Sequence, residues 1–181
     1  PVSIDSYKAK VAAAAIEAGA DLVNDIWGLK YDPEMAGLIA RTGVACCLMH
    51  NKNNTEYQDF YPDMLRETAE CVKLAKEAGI ADDKIILDPG VGFGKNYEQN
   101  LETILHMERF HELGYPMLLG TSRKSVIGLT LDLPADQRVE GTLVTTVMAV
   151  MKKYAFVRVH DIKENQRTIR MTEAILKAGE N

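Results

Sequence analysis

Ile85-Ile86-Leu87-Asp88-Pro89-Gly90-Val91-Gly92-Phe93-Gly94-Lys95 is the stretch from which the chain is best read. Its aliphatic residues read as a strand that delivers Asp88 to its tip. Glycines at 90, 92 and 94 then let the backbone come close to a ligand. As a glycine-rich loop it matches neither the P-loop nor the dinucleotide fingerprint, and Lys95 lacks the Ser or Thr that follows a P-loop lysine. Nucleotide binding is therefore a poor fit.

The same grammar recurs in both directions from this stretch. Strands are predicted at Val2–Ile4, Leu22–Asn24, Val44–Met49, Lys84–Leu87, Pro116–Gly120 and Phe156–Val159. Helical periodicity follows each, over Lys8–Ala18, Pro33–Arg41, Pro62–Ala78, Asn100–Leu113, Val139–Tyr154 and Glu164–Lys177. Several of these helices stop at a glycine, Gly19, Gly43, Gly79 or Gly114, as the left-handed C′ position favours. Strands separated by helices pair in parallel through right-handed crossovers. The grammar alone leaves an open doubly wound sheet and a (β/α)₈ barrel both standing, because about six units are visible and a barrel needs eight. No linker or low-complexity segment divides the chain, so residues 1–181 read as one domain.

Polar residues gather where these strands end: Asp5, Asn24 with Asp25, His50, Asp88, Ser122-Arg123-Lys124, and Arg158 with His160 and Asp161. In a parallel α/β fold that edge is where ligands bind. Any one of them could cap the next helix, but successive strands sending such residues to one face form a site. Alternation along the last strand sets Arg158 and His160 on one side, opposite Val157 and Val159, which makes an anion site.

The composition is that of an ordinary globular chain: 181 residues, 46% hydrophobic and 26% charged, with a formal charge of −5. That balance disfavours a nucleic-acid or anionic-membrane partner. The three cysteines, two adjacent at Cys46 and Cys47, suit neither a disulfide framework nor a metal site, and read as buried thiols in a reducing cytoplasm. No apolar run approaches the ~18 residues of a membrane span and no secretory signal opens the chain, which begins at Pro1 directly in a strand.

Taken in order, Ser-Ile-Asp-Ser (3–6), Asn-Asp-Ile (24–26), Met-His (49–50), Asp-Pro-Gly-Val-Gly-Phe-Gly-Lys (88–95), Gly-Thr-Ser-Arg-Lys-Ser (120–125) and Arg-Val-His-Asp (158–161) resemble dihydropteroate synthase, a pterin-binding family of folate biosynthesis. The resemblance runs the length of the chain. It implies a TIM (β/α)₈ barrel of which this chain supplies the third through eighth units. It also implies a transferase that condenses 6-hydroxymethyl-7,8-dihydropterin pyrophosphate with p-aminobenzoate. On that resemblance the pterin lies among Asp5, Asn24, Ile26, Met49, Asp88, Gly120 and Lys124. Asp88 would accept the two adjacent N–H groups of the pterin edge, and Asn24 would read the rest of it. Phe93, Ser122 and the stem of Lys124 would line the p-aminobenzoate pocket, the place that sulfonamides target. Arg158 and His160 would cradle the pyrophosphate, and Asp5, Lys124, Arg158 and His160 would carry the catalysis. Arg123 belongs to the motif with its role, ligand contact or brace, left open.

Two departures follow from the same comparison with the family. The magnesium-linked Asn of the family's first strand and the two long loops after its first two strands have no counterpart here. The expectation is pterin binding with little or no turnover by this chain, an unclosed barrel, and unpaired first and last strands. The helix at 139–154 spreads Leu143, Val144, Val147, Met148, Val150 and Met151 around its circumference. That pattern suggests a second buried face and, with the family's habit, a homodimer through the C-terminal helices. Rival readings are a methyltetrahydrofolate-dependent methyltransferase of the same superfamily and a non-catalytic pterin-binding fragment.

Overall fold

Strand and helix alternate throughout the computed structural model, which describes residues 1–179. In chain order the elements are β1 (Ser3–Asp5), α1 (Ala9–Glu17), β2 (Leu22–Asp25), α2 (Met35–Thr42), β3 (Ala45–Met49), α3 (Phe60–Glu77), β4 (Ile85–Asp88) and α4 (Tyr97–Leu105). They continue as β5 (Leu118–Leu119), α5 (Ser125–Leu131), α6 (Val139–Met151), β6 (Phe156–Val157) and α7 (Ile162–Ala178). β1 to β4 form one parallel sheet in chain order, and β5 and β6 a second parallel pair. A single bridge, Leu87 to Met117, joins them, with the Leu87 amide donating to the Pro116 carbonyl at 3.0 Å. The six strands are thus the consecutive staves of a partial (β/α)₈ barrel. Its outer staves are β1 and β6, whose tips meet where Arg158 Nη1 donates to Asp5 Oδ2 at 2.7 Å.

Register explains how the site arises from strand periodicity. Val23 pairs with Cys46, Cys46 with Ile85 and Leu48 with Leu87, and all five pack outward against the helices. Alternation then turns the residues between them to the opposite face: Asp5 pairs with Asn24, and Met49 with Asp88. The outward layer holds Met35, Ile39, Leu48, Met64, Leu87 and Phe110 fully buried. Each contributes about 1.5–3 kcal/mol by leaving water, so the strand tips sit on a rigid floor.

The structure differs from the sequence reading in several places. The helix expected over 100–113 starts earlier, at an Asn96–Gln99 capping box, and ends at Leu105; a 3₁₀ segment, Met107–Leu113, follows it. The last two strands shorten to two residues each, and α5 is an element that the sequence reading lacks. It is only seven residues long, and its Ser-Val-Ile-Gly-Leu-Thr-Leu mixes β-branched residues and a glycine, which are weak helix formers. The expected helix stops at Gly19, Gly43, Gly79 and Gly114 do have positive φ. α6 turns Thr142, Thr145, Thr146 and Ala149 inward, leaving Val144 60% and Met151 58% exposed. Leu143, Val147, Met148 and Val150 are partly buried.

Candidate functional site

The carboxylate at the end of β4 is the deepest part of the site. Asp88 is 2% exposed, and its Oδ1 accepts the Gly90 amide at 2.7 Å. Burial pushes its carboxyl above the ordinary range, opposed by the positive charges of Lys124, Arg158 and Lys95. Oδ2 lies beside Gly120, 3.5 Å from where a Cβ on that glycine would be; the Arg158 Nε stands 3.8 Å from the same point. Gly120 thereby leaves room between an acid and a base. Asn24 and Met49 are buried on the same face, and Ile26 is partly buried at the turn that follows. Asp25, of opposite parity, is structural: its oxygens accept the amides of Trp27 and Leu29, both at 2.9 Å, and hold that turn.

The glycine-rich loop is tied down from the helix it precedes. Asn100 of α4 accepts the Gly92 amide and donates to the carbonyls of Lys95 and Asn96. Across the loop lies Lys124, whose ammonium donates to the Val91 carbonyl and stands 4.7 Å from the centre of the Phe93 ring. Burial lowers the Lys124 pKa, with Asp88 opposing.

A cavity of about 420 Å³ at the strand tips is lined by Asp5, Gly120, Ser122, Lys124, Arg158, Val159 and His160. Residues assigned to different ligands on sequence grounds are bonded to each other here. Arg158 pairs with Asp5, and Ser122 Oγ meets His160 Nδ1 at 2.9 Å while accepting the His160 amide at 3.1 Å. The open question about Arg123 has a geometric answer. Its guanidinium, on a residue with φ of 60°, forks onto both oxygens of Asp161 at 3.1 and 2.6 Å. It braces the β5 loop to the β6 loop. Arg138, invisible to motif reading, donates to the carbonyls of Arg123 and Lys124 and supports the same loop from α6's N-terminus.

Beneath the glycine-rich loop, His50 is fully buried between Lys95 and Glu67. Burial pushes its imidazole down to about 4, while the bond to His50 helps hold Glu67 at about 2. An unfolded histidine takes its proton near 6.5. His50 therefore contributes stability that is intact above pH ~6.5 and is lost as pH falls through about 4. A urea midpoint followed across that range should show roughly 3 kcal/mol lost, with a flatter profile in His50→Gln.

Among the described residues no three His, Cys, Asp or Glu side chains gather so as to hold a metal ion. Asp5, the carboxylate on the rim, is paired with Arg158 at 2.7 Å. This donor set does not fit a magnesium ion. No helix among them is long and apolar enough to cross a membrane.

Comparison with known proteins gives one consistent pattern. The family model described as pterin binding enzyme matches residues 1–160. A dihydropteroate synthase of Clostridium beijerinckii is 60% identical over 178 residues, covering 98% of this chain and 66% of the relative. That of Bacillus subtilis is 49% identical over 179 residues, covering 99% and 63%. A solved dihydropteroate synthase from Clostridium difficile, crystallised in the presence of pteroic acid, superposes with a TM-score of 0.95 at 45% identity, covering 97% of this chain and 67% of that one. The chain spans about two thirds of the length of the curated relatives it matches.

Proposed function

Because the chain belongs to the pterin-binding enzyme family, we propose that its strand-tip site receives 6-hydroxymethyl-7,8-dihydropterin pyrophosphate and serves dihydropteroate synthesis. The observation that carries this reading is the buried Asp88 carboxylate with Lys124 and Arg158 as its nearby cations. A pterin edge offers two adjacent N–H donors, which one carboxylate accepts together. Asn24 reads the remaining edge, and Ile26, Met49 and Gly120 bound the ring. Lys124, released from the Val91 carbonyl, donates to the ring's acceptors. The p-aminobenzoate amine then attacks the pterin methylene. The C–N bond forms as the C–O bond to pyrophosphate breaks, and the amine's proton passes to water. Phe93, Ser122 and the Lys124 stem orient the aromatic amine. Arg158 and His160 bind the charge that grows on the leaving group, and Asp5 stabilises positive charge developing at the methylene.

Transfer of a methyl group from a methyltetrahydrofolate would need no anion cradle, so Arg158 and His160 at the mouth favour the synthase. Arg158→Ala should weaken inorganic pyrophosphate binding to the pterin complex by roughly 10-fold or more. Calorimetry reads this directly, and an unchanged affinity would sink the leaving-group role. The relatives carry a further third of sequence without counterpart in these residues. Binding is therefore the proper assay of this chain, and its turnover is expected to be slow or absent. The exposed Val144, Met151, Leu129 and Ile175 on the last three helices support a homodimer. The three buried free cysteines suit a cytoplasmic setting.

A further inference from the structure

One ionised cluster lies outside the cavity at the strand tips, yet grips the loop that carries the site. Lys95 closes the glycine-rich loop and is 8% exposed. An ammonium has three protons, and Lys95 Nζ meets three acceptors: His50 Nδ1 at 3.0 Å, the Gly90 carbonyl at 3.1 Å and the Phe93 carbonyl at 3.1 Å. With His50 Nδ1 accepting, the imidazole proton sits on Nε2 and is donated to Glu67 Oε2 at 2.8 Å. Glu67 Oε1 in turn accepts Lys52 Nζ at 3.2 Å. The chain of donors has one polarity, from Lys95 through neutral His50 to the Glu67 carboxylate on α3.

We propose that Lys95 is a positioning residue: anchored by His50 and Glu67, its ammonium fixes the Gly90–Phe93 turn, and so aims the Asp88 carboxyl and the Phe93 ring at their ligands. The inference rests on the pterin and p-aminobenzoate reading of those two residues. Both loop carbonyls it binds belong to one turn, closed by the Phe93 amide donating to the Gly90 carbonyl at 3.0 Å. The turn is bonded to Asp88 itself, since the Gly90 amide donates to its carboxyl. On the other side the turn backs onto β3: a Cβ at Gly90 would fall 1.9 Å from the His50 carbonyl oxygen. His50 thus touches the loop twice, through its backbone and through Lys95. All three protons of the Lys95 ammonium are directed at protein acceptors, which turns it away from the substrate. Burial pushes the Lys95 ammonium down to about 7, with the Asp88 and Glu67 carboxylates opposing and Lys124 and Lys52 adding to the push. The cost of burying this charge is offset by the three bonds it directs; an apolar side chain would fill the space without directing any of them.

The test compares the parent chain, Lys95→Met and Glu67→Ala by hydrogen exchange, with calorimetric titration of a pterin analogue and of inorganic pyrophosphate. Lys95→Met should raise amide exchange of residues 90–94 about 10-fold, leaving β2 and β3 unchanged. Pterin affinity should fall roughly 10- to 100-fold while pyrophosphate affinity, set on the β6 loop, holds. Glu67→Ala, at a partly exposed site, should do the same more weakly, and decides the matter if Lys95→Met does not fold. Exchange raised throughout the molecule, or loss of both affinities together, would mean general structural support and overturn the proposal. So would loop exchange equal to the parent's. If the folded parent binds no pterin, the functional reading fails, and the loop exchange alone judges Lys95.

Discussion

Asp88→Ala is expected to weaken pterin binding by at least ~100-fold while leaving the chain folded. The carboxylate accepts two hydrogen bonds from the ligand edge in the proposed complex, and charge-assisted bonds of this kind contribute about 1.5–3 kcal/mol each. Two of them correspond to roughly a 10²- to 10⁴-fold change in affinity. The fold is expected to tolerate the change because burial works against the carboxylate in the free chain. Its pKa stands above the ordinary value, with desolvation the leading cause. Its loss costs the free chain the Gly90 amide bond and removes one of the two carboxylates that face Lys124 and Arg158, Asp5 remaining as the other. Fluorescence quenching of a pterin analogue measures the affinity, and a thermal melt the fold. A modest loss of binding would move the recognition carboxylate elsewhere.

Gly90→Ala is expected to be the most damaging conservative change in the site, costing about 3 kcal/mol or more of stability. Two costs add at this position. Gly90 has φ of +70°, where an L side chain pays about 1–2 kcal/mol. The new Cβ would also lie 1.9 Å from the His50 carbonyl oxygen and 3.3 Å from Met49 Cγ. The first neighbour is backbone at the end of β3, so it cannot step aside as a side-chain end would. Gly114 provides the control, since it has φ of +78° but nothing within 4 Å of where its Cβ would stand. Gly114→Ala should therefore show the backbone cost alone. Denaturant midpoints of the two variants separate the terms, and equal losses would show that the loop yields at His50.

Much of this site is legible in the sequence. The family resemblance groups Asp5, Asn24, Met49 and Asp88, and the strand register sets them on one face because period-two geometry is set by the backbone. The buried runs at 45–49 and 85–88 carry that signal strongly. The short staves are harder to read. β5 holds two ladder residues where the sequence predicts five, since Pro116 has no amide to donate and joins β4 through its carbonyl alone. Long-range side-chain chemistry is the least legible. Nothing local to Arg123 announces that Asp161 will take its guanidinium, nor does Arg138 announce that it will hold the backbone of residues 123 and 124. The sequence excludes a P-loop role for Lys95, but nothing local shows that its ammonium turns into the protein to meet His50. α6 shows why composition alone misleads. Its threonines pack inward, with Thr146 donating to Asn165 at 2.6 Å, while Val144 and Met151 are exposed.

The central claim is that these residues form a pterin slot, and calorimetric titration of the folded chain with 6-hydroxymethylpterin tests it most directly. The account predicts saturable one-to-one binding that is strengthened by inorganic pyrophosphate. Absence of heat from a chain whose melt shows it folded, or binding that Asp88→Ala leaves intact, would contradict it.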